Sequence, residues 1–281
     1  MAGKVTYSAK TAKKDKTVKA PARSKAVKGK AAKGKAVKAK ARGRKAFDPL
    51  KALESELYDL ANEQFESAAY RRMFAAPWTL KGVQQFFMQH AQFNLNRRDC
   101  WGHVQGASPL PVKKLVWEHE EEELGGVKHR GGANHYELAV QQGASFGLKP
   151  EDYYRAPTMD GSYVCFQAWL HLAKHSHWLE AFAASAALEY SNSEDVIEGG
   201  CLSRRMGEKL QKDLGIPMKK QYSNEEHVEA DQEHGKLLIA IGRMYGDSSE
   251  GRMLIRNGAI RSWKIDRVFR DFLGSVLERH A

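Results

Sequence analysis

The chain has 281 residues, 42% of them hydrophobic, with six Trp and eleven Phe, enough to bury a core in one or two domains. Its formal charge of +11 averages two unlike parts: residues 1–46 hold 17 Lys/Arg and one acid, leaving 28 Lys/Arg against 33 Asp/Glu, a balance of −5, in the rest. No apolar run approaches the roughly 18–20 residues that span a bilayer, no apolar secretory segment opens the chain, and Cys100, Cys165 and Cys201 are isolated, which excludes a disulfide framework or a zinc knuckle. These features predict a cytoplasmic protein.

The first 46 residues, with "KAVKGKAAKGKAVKAKARGRK", repeat Lys, Ala, Val and Gly without large apolar side chains. Such a segment cannot offset the entropy of ordering, so a disordered tail is expected over 1–46 and a folded domain over 47–281. Its charge suits non-specific contact with nucleic acid, including a bacterial nucleoid, or with another polyanion. The tail resembles the Lys/Ala-rich tails of histone H1-like bacterial proteins, and a solubility arm is the alternative.

From Phe47 the pattern is helical. Asp48-Pro49 makes an N-cap and first turn, followed by Leu50, Leu53, Leu57, Leu60 and Ala61 at helical spacing, in one helix expected to run to Phe74. Further helices are predicted over about 79–98, 109–124 and 132–147. A long apolar helix, "SYVCFQAWLHLAKHSHWLEAFAASAALEY", is expected at the centre, and others over 194–214, 223–245 and 249–279. Gly and Pro clusters punctuate them, and no alternating strand run appears. An all-α bundle of seven or eight helices follows.

The segment "SNEEHVEADQEHG", residues 223–235, concentrates potential ligands. Ser223 with Glu226 forms a capping-box pattern. At about 100° per residue, Asp231 lies about 40° from His227 and His234 about 20° to its other side, one narrow stripe that continues into Leu238 and Ile241 and hence points inward. Burying two imidazoles and a carboxylate together is costly unless something pairs them, and a divalent cation accepts both ligand types. A partly exposed, internally hydrogen-bonded stripe is the alternative.

Further carboxylates are available. In "WEHEEEELGG", Glu118 and Glu122 share the face of Leu115, and acids crowded into a helix's last turns oppose its macrodipole. Metal ligation would explain that crowding; for Glu120, Glu121 and Glu123 a solvated end suffices. Glu189 closes the apolar "AASAALEY" after small residues that let helices approach. His129 and His135 compete for one role after Glu122. His171, His175 and His177 are read as packing or outer groups, and His90, His103, His119 and His280 as ordinary.

Taken together, these motifs resemble the heme-oxygenase-like helical superfamily that includes TenA thiaminases and PqqC, and more narrowly its diiron oxidases and oxygenases. His227, Asp231 and His234 match a late His-x3-Asp-x2-His motif, "EELGG" from Glu122 resembles a Glu-Glu-x-Gly segment, "NHYELAVQQGASFGL" selects His135, and Glu189 resembles a mid-chain glutamate; the Glu122–His135 interval is longer than usual. The likeness covers residues 47–245. It implies Glu122, His135, Glu189, His227, Asp231 and His234 as ligands of two iron ions, or Fe/Mn, with O2 as co-substrate and a small amino-acid-like or fatty-acid-like substrate. It also implies a homodimer, a catalytic role for Glu122 and Glu189, and Tyr190 as an oxidisable neighbour. Phe86, Phe87, Phe93, Phe166 and Trp169 are expected to line the pocket. The alternatives are a metal-independent TenA/PqqC-like enzyme or regulator, and a polyanion-associated protein acting through its tail.

Overall fold

The computed structural model describes residues 47–281. The basic tail expected over 1–46, with its polyanion contact, lies outside the described residues. Among the latter the secondary structure is helical, with an isolated bridge between Val127 and Ala133 and no strand. The helices are α1 (Pro49–Phe65), α2 (Ala68–Ala75), α3 (Leu80–Ala107), α4 (Leu110–Gly125), α5 (His135–Gly143) and α6 (Pro150–Arg155). They continue with α7 (Asp160–His175), α8 (Trp178–Tyr190), α9 (Leu202–Leu214), α10 (Tyr222–His234), α11 (Lys236–Tyr245) and α12 (Ser249–Glu278). Among the described residues no helix is long and apolar enough to cross a membrane.

The all-α architecture agrees with the expectation, but several long segments are cut into shorter helices by local caps. The first helix ends at Phe65 because Ser67 caps a new one, accepting from the Tyr70 N–H. The expected central helix divides at Ser176-His177, where His177 Nδ1 accepts from the Leu179 N–H and starts α8. The segment 223–245 divides at Gly235, whose Cα packs so closely on Ser193 that a Cβ would meet that side chain at 2.7 Å. Residues 191–201, expected to be mostly helical, form the connection to α9, with Gly199 and Gly200 at positive φ.

Helix α8 is the centre of the bundle, and eleven of its thirteen residues are buried. Its apolar surface has no preferred side, as a helix surrounded by others requires. The 30-residue α12 lies along it, and the two backbones touch at Gly258, where a Cβ would collide with the Glu180 carbonyl. Trp263 Nε1 donates to the Ala187 carbonyl at 3.0 Å and locks the same contact. Around this pair, α3 contributes Phe86, Phe87 and Phe93, and α7 contributes Phe166 and Trp169. Glu189 thus reaches the end of a rigid central rod, where α3, α4, α5 and α10 converge.

Candidate metal centre

The buried face of α4 is Val112, Val116, His119 and Glu123, spaced i, i+4, i+7 and i+11. Leu115 is only half-buried and Trp117 is exposed, so the inward stripe is not the one that carries Glu118 and Glu122. His119 and Glu123 meet Glu189 of α8 and His234 of α10, with one ligand atom from each lying within 4.8 Å of all the others. His135, the first residue of α5, brings Nδ1 to 3.1 Å from Glu123 Oε1, and His234 Nδ1 lies 3.4 Å from the same oxygen. Asp231, fully buried, has Oδ1 3.7 Å from His234 Nδ1. His227 is half-buried beside His135, with ring centroids 4.5 Å apart.

Each of three imidazoles has one nitrogen tied outward and the other turned inward. His119 Nδ1 donates to Glu120 Oε1 at 3.0 Å and leaves Nε2 facing Glu189 at 3.7 Å. His234 Nε2 donates to Glu122 Oε2 at 2.9 Å and leaves Nδ1 facing Glu123 and Asp231. His227 Nδ1 donates to the Ser223 carbonyl at 2.7 Å, which leaves Nε2 as its basic nitrogen. Fixing one nitrogen in this way selects the tautomer and raises the basicity of the other, as metal-ligating histidines require. The inward atoms His119 Nε2, His135 Nδ1, His234 Nδ1 and Asp231 Oδ1 are buried without a hydrogen-bond partner. Orphaned polar atoms are costly and rare in native interiors, and four aimed at one spot fit a bound cation.

The carboxylates are oriented as firmly. Arg98 Nη1 holds Glu120 at 2.7 Å and Glu123 Oε2 at 3.1 Å, which leaves Glu123 Oε1 between two imidazoles. Arg97, anchored on the Ser185 carbonyl at 2.7 Å, stands 3.6 Å from Glu189. Asp231 Oδ2 accepts from the Asn192 amide, whose carbonyl oxygen is fixed by the Ser203 N–H at the start of α9.

Charge balance points the same way. Burial would raise the Glu123 and Glu189 carboxyls, yet Arg98 and His135 around the first, and His119 and Arg97 around the second, hold both well below the usual range. Burial would lower the imidazoles, but Glu120 and Glu189 raise His119, Glu123 raises His135, and Asp231, Glu122 and Glu123 push His234 up to about 11. Complete burial pushes the Asp231 carboxyl up. Five carboxylates (Glu120, Glu122, Glu123, Glu189, Asp231) against two guanidiniums leave a deficit of three positive charges, which protons on imidazoles meet when no cation is present.

The expected residues therefore fall into two groups. His135, Glu189, His227, Asp231 and His234 come together. Glu122 stands at the rim with an exposed side chain and orients His234, while Glu123 occupies the centre. His119, read from the sequence as ordinary, is part of the cluster; its signal was the spacing from Val112 and Val116. His129 is largely exposed and binds Glu226 instead, at 3.0 Å. Tyr190 turns about 100° away from Glu189, packs in the apolar core, and is pushed up to about 12 by burial and by Glu54 and Tyr58 of α1. It does not face the centre.

An internal cavity of about 60 Å³ adjoins the cluster, lined on one side by Glu123, Glu189 and His227 and elsewhere by His90, Phe93 and Arg270. Phe93 is the only one of the five expected aromatics on its wall; Phe86, Phe87, Phe166 and Trp169 pack against one another and their neighbours in the core.

A family model described as iron-containing redox enzyme matches residues 84–267. The chain belongs to that family. None of the curated proteins compared with it matches. Among solved structures, a CADD-like protein of unknown function from Nostoc punctiforme is 18% identical, with a TM-score of 0.58 and coverage of 80% of this chain and 97% of that one. A domain of unknown function with a heme oxygenase-like fold from Shewanella denitrificans is 12% identical, with a TM-score of 0.57 over 81% and 94% of the two chains. A TenA homologue from P. horikoshii gives 12% identity and a TM-score of 0.55 over 83% and 97%. At these identities the likeness establishes the heme-oxygenase-like fold of this iron-containing redox enzyme family member.

Metal uptake by this family member is expected to release protons, as many as three from His119, His135 and His234, because ligands must be deprotonated to bind. Titration of the apo protein with Fe(II) in weakly buffered anaerobic solution should acidify it, and apparent affinity should fall as pH drops. The metal-free fold is expected to show the opposite sign in thermal melts across pH: the stabilisation from protonated His234 is fully present below about 6.5 and is lost as pH rises through about 11.

Proposed function

We propose that the protein is a non-heme iron oxidase or oxygenase that holds two iron ions, or an Fe/Mn pair, and uses O2 to oxidise a small molecule. The observation that carries this reading is the set of four buried, partnerless ligand atoms converging from α4, α5 and α10. His119, Glu123, Glu189 and His234 would hold one ion; His135, His227 and Asp231 would hold the other, with Glu123 shared between them. Three imidazoles and three carboxylates without thiolate suit iron better than structural zinc, and His119 adds a further nitrogen. When bound, iron supplies redox chemistry with O2.

The remaining work belongs to the chain. Arg97 and Arg98 keep Glu189 and Glu123 ionised and oriented. Glu120, Glu122 and the Ser223 carbonyl fix the tautomers of His119, His234 and His227. The cavity holds the substrate's reacting end against Glu123, Glu189 and His227 and keeps bulk water away. His90, lowered well below the ordinary histidine range by burial and by Arg270, stays neutral there; its Nδ1 accepts from Arg270 Nη1 at 3.4 Å, which leaves Nε2–H as a hydrogen-bond donor.

Anaerobic addition of Fe(II) should load about two ions per chain, and subsequent O2 should produce a transient visible absorbance. A protein that binds no iron, yet is catalytically competent, would establish the metal-independent TenA/PqqC-like alternative.

A further inference from the structure

On the side of the cluster away from the α8 core, the surface opens into a groove of about 680 Å³ between α4 and α10. Its walls are two acidic stripes at helical spacing, Glu118, Glu121 and Glu122 on α4 and Glu226, Glu229 and Glu233 on α10. Among the groove's lining residues Lys128 is the only Lys or Arg; Glu118 pairs with Lys114 at 3.5 Å, Glu226 with Arg130 Nε at 3.0 Å and Glu233 with Lys236, while Glu121 and Glu229 have no salt bridge among the described residues. Like charges a helical turn apart destabilise each helix, and the α4 acids also oppose its macrodipole. The ion pairs of Glu118, Glu226 and Glu233 offset part of this cost, but Glu121 and Glu229 have none among the described residues, so folding does not account for the whole of the two stripes.

The inner end of the groove is what distinguishes it from an acidic surface. His135 lines it although its side chain is only 3% exposed, and its Nδ1 has no hydrogen-bond partner and stands 3.1 Å from Glu123 Oε1. Glu122 also lines it, with a side chain 64% exposed and Oε2 on His234 Nε2 at 2.9 Å. The groove thus runs from solvent to two residues that touch the buried cluster. The internal cavity reaches that cluster through other residues, Glu123, Glu189 and His227, among Arg97, Arg98 and Arg270. The centre has two approaches: one anionic and open, the other balanced in charge and internal.

We propose that the acidic groove is the loading path by which a divalent cation reaches the centre, distinct from the cavity that takes the substrate. This inference rests on the reading of the buried cluster as a metal centre. Six carboxylates across a concave surface concentrate a dication and raise its arrival rate. Glu122 and His135 then pass it inward to Glu123, since each lies in the groove and against the cluster at once.

The test uses the full chain, metal-free and anaerobic, mixed rapidly with Fe(II). Trp101, whose ring lies 4.8 Å from the His119 ring, reports arrival by quenching of its emission, and iron content in chelator-quenched samples gives the rate independently. The variant E118Q/E121Q/E229Q/E233Q removes four exposed carboxylates that hold nothing in the centre. A control, E63Q/E151Q/E208Q/E250Q, removes the same charge elsewhere. The groove variant should load at least about 10-fold more slowly at low ionic strength, with the gap closing at high salt and the final stoichiometry unchanged. Equal rates in wild type and groove variant, equal slowing by the control, or a lost ion in the groove variant would each overturn the path. Failure of the wild type to bind any iron would instead remove the metal centre, and the path with it.

Discussion

Glu123→Gln is expected to abolish tight divalent-cation binding, and Glu122→Gln only to weaken it, when both are measured by anaerobic Fe(II) titration with iron analysis. The two residues are adjacent in the sequence but lie about 100° apart on α4. Glu123 is buried, and Oε1 stands within 3.4 Å of both His135 Nδ1 and His234 Nδ1, while Oε2 is held by Arg98. Gln offers a neutral oxygen there, leaves Arg98 short of a counter-charge, and removes the group best placed to be shared by two ions. Glu122 touches the centre only through His234, and outer partners of this kind change metal affinity by about 10–100-fold. Loss of Glu123 is expected to exceed that range and to reduce the stoichiometry. The reverse ranking, with Glu122→Gln stripping the metal, would move the centre out to the rim and remove the present assignment.

The distinction between Glu122 and Glu123 shows where the sequence was legible and where it was not. The stripe His227, Asp231, His234, Leu238, Ile241 could be read because α10 and α11 continue nearly in phase across Gly235, and its apolar end is fully buried. Glu189 stood out as the only charged residue in the largely apolar run from Ala181 to Tyr190. On α4 the cues conflicted. Leu110, Trp117 and Leu124 are exposed, so the largest apolar residues mark the outer side, and the inner side is marked only by Val112 and Val116. Choosing the Leu115 face selected Glu122 and dismissed His119. The six polar residues of "EHEEEE" also have separate tasks: His119 and Glu123 enter the cluster, Glu120 and Glu122 orient imidazoles, and Glu118 and Glu121 line the groove. Composition cannot divide such a run; only the position of Arg98, on another helix, shows which acids are held inward. The helix breaks at Ser176 and Gly235 were hidden for a related reason, since each depends on a cap or close packing that propensity does not register.

Arg270→Met should be the most destabilising single change outside the metal cluster, lowering stability by about 3–5 kcal/mol, or the melting temperature by about 6–20 °C for a domain of this size. Arg270 and Asp266 are one turn apart on α12, 2% and 1% exposed, with Arg270 Nε donating to Asp266 Oδ1 at 3.0 Å. Tyr70 of α2 donates to Asp266 Oδ2 at 2.5 Å, and the guanidinium lies over the Phe93 and Phe269 rings at 5.6 and 5.2 Å. Met retains much of the apolar contact but leaves Asp266 as a buried anion with a single hydroxyl partner. The cost comes chiefly from that unpaired charge, so the double variant Asp266→Asn/Arg270→Met should recover most of the loss. Differential scanning calorimetry of the two singles and the double gives the coupling directly. Iron stoichiometry at a temperature where the Arg270→Met variant is still folded should match the wild type, because none of the cluster's hydrogen bonds passes through Asp266 or Arg270. A double variant no more stable than Arg270→Met would instead mean that the guanidinium acts by packing on Phe93 and Phe269 rather than by neutralising Asp266.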